Sequence, residues 1–485
     1  MRNFQKPGKS TVYSKKGMVA TSHPIASSVG LDILKKGGNA VDAAIAMAFV
    51  LPMCEPQSTG LFGDVFAMIK TNNSENIIGL NGSGRAPLNV TSKFLKDKNF
   101  SVIPEDAVET ITMPGAVAAL ESLNKKFSKM NLDALIEPAI SYAQNGIVVS
   151  PRVAFDWKYS YKNLKGVAKD YYLINGKPYV EGSIFKSPGQ AEVLKKISEN
   201  GSKGFYEGEV AKDFIDSLTK LGGVHTYSDL NLVSVEYVEP YKANFGSYDL
   251  FEMPPNSQGI TAILILKILQ EIGISSLDPM GSERVHIEAE AAKIAYKARN
   301  NYIGDLNFYD FDHDLFFSEK NIKKYVSWIK KDKASSFKDE LNYTPHKDTV
   351  FLTVIDENRL MISLIFSIFN SFGSGYASEK YGILFHNRGA GFCLNHGHPN
   401  ELNGGKRPLH TILPGFLMKK NDFIMPFGVM GGQYQANGHA RLISNIVDYG
   451  MDIQEAIDFP RSFPESGFLK LEEGYTKTIA KDLIQ

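Results

Sequence analysis

Cysteine is scarce in this chain of 485 residues: only Cys54 and Cys393 are present, far apart and in no CxxC pattern. That excludes a disulfide framework and a zinc ribbon. Net charge is missing too, since Lys plus Arg and Asp plus Glu both number 53. No overall field recruits nucleic acid or an anionic membrane, so the expected partner is a small molecule. Also absent is an apolar run of about 18 residues, the length that spans a bilayer. The longest candidate, AVDAAIAMAFVLPMC, is interrupted by Asp42 and Pro52 and suits a buried helix. The opening MRNFQKPGKSTVYSKKG is basic but lacks the apolar stretch of a secretory leader, and a cytoplasmic location is the expectation.

What is there is an ordinary globular composition, 43% apolar and 22% charged, with no segment biased toward disorder. The length alone suggests about three domains, although one large layered fold holds as many residues. HPIASSVGLDILKKGGNAVDAAIAMAFVLP predicts two helices around Gly37-Gly38, with Ile25, Val29, Ile33 and Leu34 on one face and Asn39 starting the second helix. FAMIK and NIIGL read as short strands joined by TNNSE. MPGAVAALESLNKKF, LDALIEPAISYAQNG, residues 189–221 and residues 258–300 read as helical, so the first three hundred residues are expected to be mainly helix. Residues 350–355, 360–368 and 383–385 are strand-like, with a polar turn over 356–359. DFIMPFGVMGG is a further strand ending in paired glycines, followed by the helix ARLISNIVDYG. Hairpin-paired strands covered by helices predict an α+β layered domain rather than alternating βαβ units. The boundary falls in the polar stretch 330–348, a loop ending just before Thr349.

Two constellations have plainer readings than the chemistry they suggest. Gly79, Gly82 and Gly84 follow a strand, but Pro87 and the polar residues after it open no helix, which argues against a dinucleotide loop. Cys393, His396 and His398 crowd one loop, with His386 upstream, yet no second element carries zinc-ligand spacing, so a polar surface loop is the reading. Thr349 alone would be an ordinary strand residue. Its position is informative: a polar segment ends at it, a strand-turn-strand hairpin begins with it, and Gly431-Gly432 end a later strand where backbone N–H groups can face a reacting carbonyl.

GMVATSHPIASSVGLDILKKGGNAVDAAIAM, MPGAVAAL, PAISYAQNG, DTVFLTVID, SFGSG, GKRPLHTILP and GVMGG follow one another along essentially the whole chain. In these stretches the chain resembles the γ-glutamyltransferase (glutathione hydrolase) family of N-terminal-nucleophile hydrolases. NRGAGF and GKRPLHT are similar to a divergent branch that includes oxamate amidohydrolase and cephalosporin-acylase-like enzymes. The resemblance implies a four-layer αββα fold. It also implies a precursor that cuts itself between Asp348 and Thr349 into a large subunit, 1–348, and a small subunit, 349–485, intertwined in one domain. Thr349 then becomes the nucleophile; an α-amino group with a pKa of about 7.7–8.0 serves as base for the hydroxyl on the same residue, and no cofactor or metal is required. By the same resemblance Gly431 and Gly432 supply the oxyanion hole, and Ser367 holds the nucleophile.

The groups that would hold a γ-glutamyl head differ from the family pattern. The carboxylate-binding arginine aligns with Ser83, with Arg85 two residues away. An amino-binding asparagine becomes Phe369 and an amino-binding aspartate becomes Gly391. A glutamine becomes Arg388 and a serine pair becomes His410-Thr411, so that Arg85, Asn387, Arg388, His410 and Thr411 form the expected substrate-binding set. An ammonium-binding corner is exchanged for a cationic one, which suits a small anionic amide lacking the amino group. The implied function is a self-processing amidohydrolase acting on γ-glutamyl or related small carboxylate-bearing amides, with a homodimer compatible with the pattern. The alternative is an uncleaved, non-catalytic relative that binds a small ligand or serves as a structural partner.

Overall fold

The structure, a computed structural model, describes residues 9–72, 74, 76–336, 348–420 and 422–484. The polar loop expected over 330–348 falls largely outside these residues. Helix α1 (Pro24–Lys35) and helix α2 (Ala40–Cys54) flank the glycine pair as the pattern required. Asn39 caps α2 by accepting from the N–H groups of Val41 and Asp42, while Asp42 accepts from Asn39 and from the N–H groups of Lys129 and Met130. Asp42 breaks the apolar run in sequence yet is fully buried, because its carboxylate is saturated by backbone donors.

All strands of the two main sheets pair antiparallel. The six-stranded sheet comprises β1 (Met18–Thr21), β2 (Asp64–Lys70), β3 (Ile77–Gly82), β4 (Glu236–Val238), β7 (Val350–Ile355) and β8 (Met361–Ser367), in the order β1-β7-β8-β2-β3-β4. The four-stranded sheet comprises β5 (Tyr241–Phe245), β6 (Tyr248–Glu252), β9 (Pro414–Lys419) and β10 (Phe423–Gly428), in the order β10-β9-β6-β5. A smaller hairpin joins β11 (Ser462–Glu465) to β12 (Phe468–Leu471). The β7–β8 turn falls on the expected polar residues. Asp356 accepts there from the N–H groups of Asn358 and Leu360, and its other oxygen accepts from Ala40 at the start of α2.

Side-chain alternation divides the core. Val350, Leu352, Val354, Ile362, Leu364 and Phe366 pack with α1, α2, α3 (Ala116–Phe127) and α4 (Leu132–Asn145). The opposite face of that sheet presents Phe66, Met68, Met361 and Ile365 to Met253, Ile412, Leu413 and Phe416 around the second sheet. Leu250, Leu417 and Phe427 pack with the helices α6 (Gly259–Ile272), α7 (Ser282–Tyr302) and α8 (Tyr434–Val447). A further helix, α5 (Pro151–Ser160), flanks the site.

Two expectations need correction. The first three hundred residues are not so largely helical, because β4, β5 and β6 run through YVEPYKANFGSYDLFE. The two-residue turn Gly246-Ser247, with Gly246 at φ +62°, carried a hairpin signal there. Residues 383–385 form no strand of a sheet; they run as a loop with isolated bridges from Leu384 to Ala377 and from Phe385 to Phe62. Their apolar character reflects burial alone. Gly79 and Gly82 lie inside β3, and among the described residues no group of three or more His, Cys, Asp or Glu is arranged to hold a metal ion. No helix among them is long and apolar enough to cross a membrane.

Candidate active site

Three neighbouring strands end together at the site. Ser367 at the end of β8 pairs with Asp64 at the start of β2, and Phe366 pairs with Val350, so Thr349 sits just before β7 beside Ser367. Odd positions of β7 and β8 point between the two sheets, which places the side chains of Thr349 and Ser367 on the face that meets the second sheet. The Thr349 hydroxyl lies 2.6 Å from the Asp348 carbonyl oxygen and 3.4 Å from Ser367 Oγ. Ser367 donates to the same carbonyl at 3.0 Å and accepts from Phe369 N–H at 3.0 Å. Two hydroxyls thus converge on one peptide carbonyl, the one immediately before Thr349. Phe369 follows at φ +77°, so the chain turns sharply after β8.

Gly431 and Gly432 lie beyond β10, at φ +122° and +56°, values that favour glycine. Among the described residues neither glycine N–H has a hydrogen-bond acceptor. The loop is braced from behind. His439 on α8 accepts from Val429 N–H at 3.3 Å through Nε2 and donates from Nδ1 to Glu252 at 2.8 Å. Gln258 donates to the carbonyls of Thr411 and Gly432 at 2.7 and 3.3 Å. Arg299 holds Gln258 at 2.8 Å and also holds Gln433, whose carbonyl accepts from Tyr296.

Thr349 and Gly431 line a cleft of about 570 Å³. Its wall carries the ion pairs Arg152–Asp156 on α5, Arg461–Glu472 and Lys470–Glu465 around the β11–β12 hairpin. Glu55, just past the end of α2, lines it as well, accepts from the Ser22 hydroxyl, and is pushed up to about 7 by burial. Burial likewise holds the neighbouring His23 imidazole down to about 4.

The expected substrate-binding set divides. Arg388, His410 and Thr411 come together in a fully enclosed corner: Arg388 Nη1 donates to Thr411 Oγ1 at 3.2 Å, and its guanidinium stacks 4.5 Å from the Phe369 ring. Asn387 supports the same turn, accepting from Asn370 N–H at 3.1 Å and donating to the Glu105 carbonyl at 2.8 Å. Arg85 does not join them. Its guanidinium is held by Asp305 at 3.2 Å and Glu236 at 2.9 Å, and none of the five expected residues lines the cleft of Thr349 and Gly431. Ser83 is buried in a network with Asn81 and Asn256.

Sequence reasoning missed Asp64, which changes the character of that corner. Its Oδ2 lies 3.0 Å from His410 Nε2 and 3.8 Å from both Arg388 Nε and His386 Nδ1. Its Oδ1 accepts from Gly84 N–H at 2.9 Å and Gly115 N–H at 3.3 Å. Burial alone would raise this carboxyl, but His386, His410 and Arg388 around it hold it down to about 2. Burial, with Arg388 nearby, pushes His410 down to about 3, and burial lowers Arg388 to about 9, so at neutral pH one anion faces one cation between neutral imidazoles. The corner is therefore charge-compensated rather than simply cationic. Glu55 escaped notice too, because a glutamate after an apolar helix reads as an ordinary helix end.

Residues 26–485 match the sequence profile of the family described as Gamma-glutamyltranspeptidase, and the chain belongs to that family of enzymes. It is 32% identical to the glutathione hydrolase-like YwrD proenzyme of Bacillus subtilis over 93% of this chain and 85% of that protein. The cephalosporin acylase from Bacillus halodurans superposes with a TM-score of 0.89 at 34% identity, over 100% of this chain and 90% of the acylase. The gamma-glutamyltranspeptidase of Helicobacter pylori aligns with a TM-score of 0.62 at 32% identity, over 68% of this chain and 95% of that one.

Proposed function

We propose that the chain is a precursor cut between Asp348 and Thr349, folded as a four-layer αββα sandwich, whose subunits 1–348 and 349–485 form one amidohydrolase with Thr349 as nucleophile. The observation that carries this reading is the convergence of the Thr349 and Ser367 hydroxyls on the Asp348 carbonyl, at 2.6 and 3.0 Å. In processing, Thr349 Oγ1 attacks that carbonyl carbon, the peptide C–N bond breaks, and the nitrogen takes the hydroxyl proton. Water then hydrolyses the resulting ester to leave a free amino-terminal threonine. Ser367 donates to the carbonyl oxygen throughout, where charge accumulates.

The mature reaction repeats these steps on an external amide. The free α-amino group accepts the Thr349 hydroxyl proton, Oγ1 attacks the substrate carbonyl, and the N–H groups of Gly431 and Gly432 receive the oxyanion. The proton passes to the departing amine, and water releases the acyl group by the reverse sequence. The leaving amine is assigned to the open cleft, and the acyl group to the other side of Thr349, toward the Phe369 turn on which Arg388 stacks. The names of the relatives, glutathione hydrolase and acylase, support γ-glutamyl or related small carboxylate-bearing amides as substrates. Acyl groups without an α-amino group are favoured, because the carboxylate of the corner, Asp64, is already occupied by protein donors. Glutaryl and γ-glutamyl p-nitroanilides test the reading: processed enzyme releases p-nitroaniline from both, faster from glutaryl, and Thr349→Ala releases it from neither. Undiminished release by Thr349→Ala contradicts it.

A further inference from the structure

The reaction just described gives Asp64 no task, although it is a fully buried carboxylate paired across the sheet with Ser367. We propose that Asp64 determines the charge selectivity of the acyl subsite: as fixed counter-ion to Arg388 it cancels that cation, so the subsite recognises a hydrogen-bond acceptor on the acyl chain, neutral or ionised, rather than a negative charge. The inference rests on the reading that the acyl group lies between Thr349 and Arg388.

Position comes first. Thr349, Ser367 and Asp64 stand side by side at the ends of successive strands spaced about 4.8 Å apart, which puts their backbones within about 10 Å of one another. Charge comes second. His410 accepts from Ile412 N–H at Nδ1, at 3.3 Å, so its proton resides on Nε2 and is donated to Asp64 without the ring being charged. The corner then holds one negative and one positive charge.

Hydrogen bonding separates their roles. Asp64 accepts from two backbone N–H groups and from His410, so it has little left to offer a substrate ammonium. Arg388 is the reverse: Nη1 is used by Thr411, whereas Nε and Nη2 are buried and without an acceptor among the described residues, Asp64 standing 3.8 Å from Nε, beyond hydrogen-bond reach. Buried donors left in that condition are costly, and an acceptor brought by a ligand relieves them. Either a carboxylate or a carboxamide oxygen provides one. With Asp64 ionised 3.8 Å from Arg388 Nε, the extra charge of the carboxylate gains attraction from Arg388, part of which repulsion from Asp64 offsets.

Glutaryl-p-nitroanilide and its terminal carboxamide, 4-carbamoylbutyryl-p-nitroanilide, differ only in that charge. The wild-type enzyme is expected to show kcat/KM values for the two within tenfold of each other. Asp64→Asn, which keeps an acceptor for Gly84 and Gly115, should shift the ratio at least tenfold toward glutaryl, through KM. Calorimetric dissociation constants of glutarate and glutaramate on processed enzyme should shift in parallel. Should Asp64→Asn fail to fold, Asp64→Ser and the wild-type ratio still decide. A wild-type preference for glutaryl beyond a hundredfold, an unchanged ratio in both variants, or no binding of either acid overturns the proposal. Absence of turnover with normal selectivity of acid binding would instead contradict the amidohydrolase reading and leave the role of Asp64 standing.

Discussion

Removing one hydroxyl, by Ser367→Ala, separates the two tasks that Ser367 performs. Its Oγ donates to the Asp348 carbonyl at 3.0 Å and accepts from Phe369 N–H at 3.0 Å. Thr349 Oγ1 also lies within hydrogen-bond distance of that carbonyl oxygen, at 2.6 Å, but in the proposed cleavage it attacks the carbon and no longer donates, so Ser367 is left to carry the developing charge. Loss of an oxyanion donor costs about 2.7–4 kcal/mol of transition-state stabilisation, so self-cleavage should slow by a factor on the order of 10²–10³. The second task predicts a smaller effect on stability, about 1–3 kcal/mol, because the Phe369 N–H loses its buried acceptor. The assay is a time course of full-length and cleaved chain by mass spectrometry, far below the unfolding temperature, beside a urea titration on an uncut Thr349→Ala background. Ser367→Thr keeps the hydroxyl and should process at close to the wild-type rate. Cleavage of Ser367→Ala at the wild-type rate, or a slowing that Ser367→Thr shares in full, would refute the assignment.

Gly431→Ala forces a side chain onto a φ of +122° and should reduce kcat far more than substrate affinity, measured by steady-state kinetics with glutaryl-p-nitroanilide; an unaffected kcat argues against an oxyanion role for this turn. Arg388→Ala leaves Asp64 as an uncompensated buried anion and should destabilise the fold by about 3–5 kcal/mol in urea denaturation, whereas a neutral outcome would mean that the pair is not coupled. Glu55 has a folded-state pKa raised to about 7 by burial, so its contribution to stability is fully present below the ordinary carboxyl range and is lost as pH rises toward 7. That displacement corresponds to about 3 kcal/mol. Glu55→Gln should remove this part of the stability-versus-pH curve, and an identical curve for the variant contradicts the assignment.

The parts of the site that could be read from the sequence are those whose chemistry sits in contiguous residues. Thr349 follows a polar segment and opens a strand, while Ser367 and Gly431-Gly432 were reached through the resemblance of their short stretches to the γ-glutamyltransferase family, and the structure brings Thr349 within 3.4 Å of Ser367. Asp64 was invisible for the opposite reason. At the head of DVFAMIK it looks like a polar residue before a strand, and only the pairing of β2 with β8 brings it beside Ser367, while Arg388, at the start of a short 3-10 helix, and His386 and His410 arrive from elsewhere in the chain. Arg85 shows the converse error: closeness in sequence to Ser83 suggested a second substrate cation, yet the side chain turns toward Glu236 and Asp305. The hairpin of β5 and β6 lies between long helical stretches and was overlooked despite its Gly246-Ser247 turn, because helical periodicity on either side dominated. The brace behind the glycine turn, Glu252–His439 and Gln258–Arg299, joins β6, α7, α8 and the residue preceding α6, and has no signature along the chain.

The central claim is that Thr349 makes its own amino terminus, and the intact mass of the purified protein tests it most directly. Wild-type protein should give two chains, one ending at Asp348 and one beginning at Thr349, whose masses sum to the full chain plus one water. Thr349→Ala should give a single uncut chain without amidase activity, and Thr349→Ser should still be cut, more slowly. A wild-type chain that remains whole while hydrolysing amides, or a Thr349→Ala chain cut at the same bond, would contradict the account.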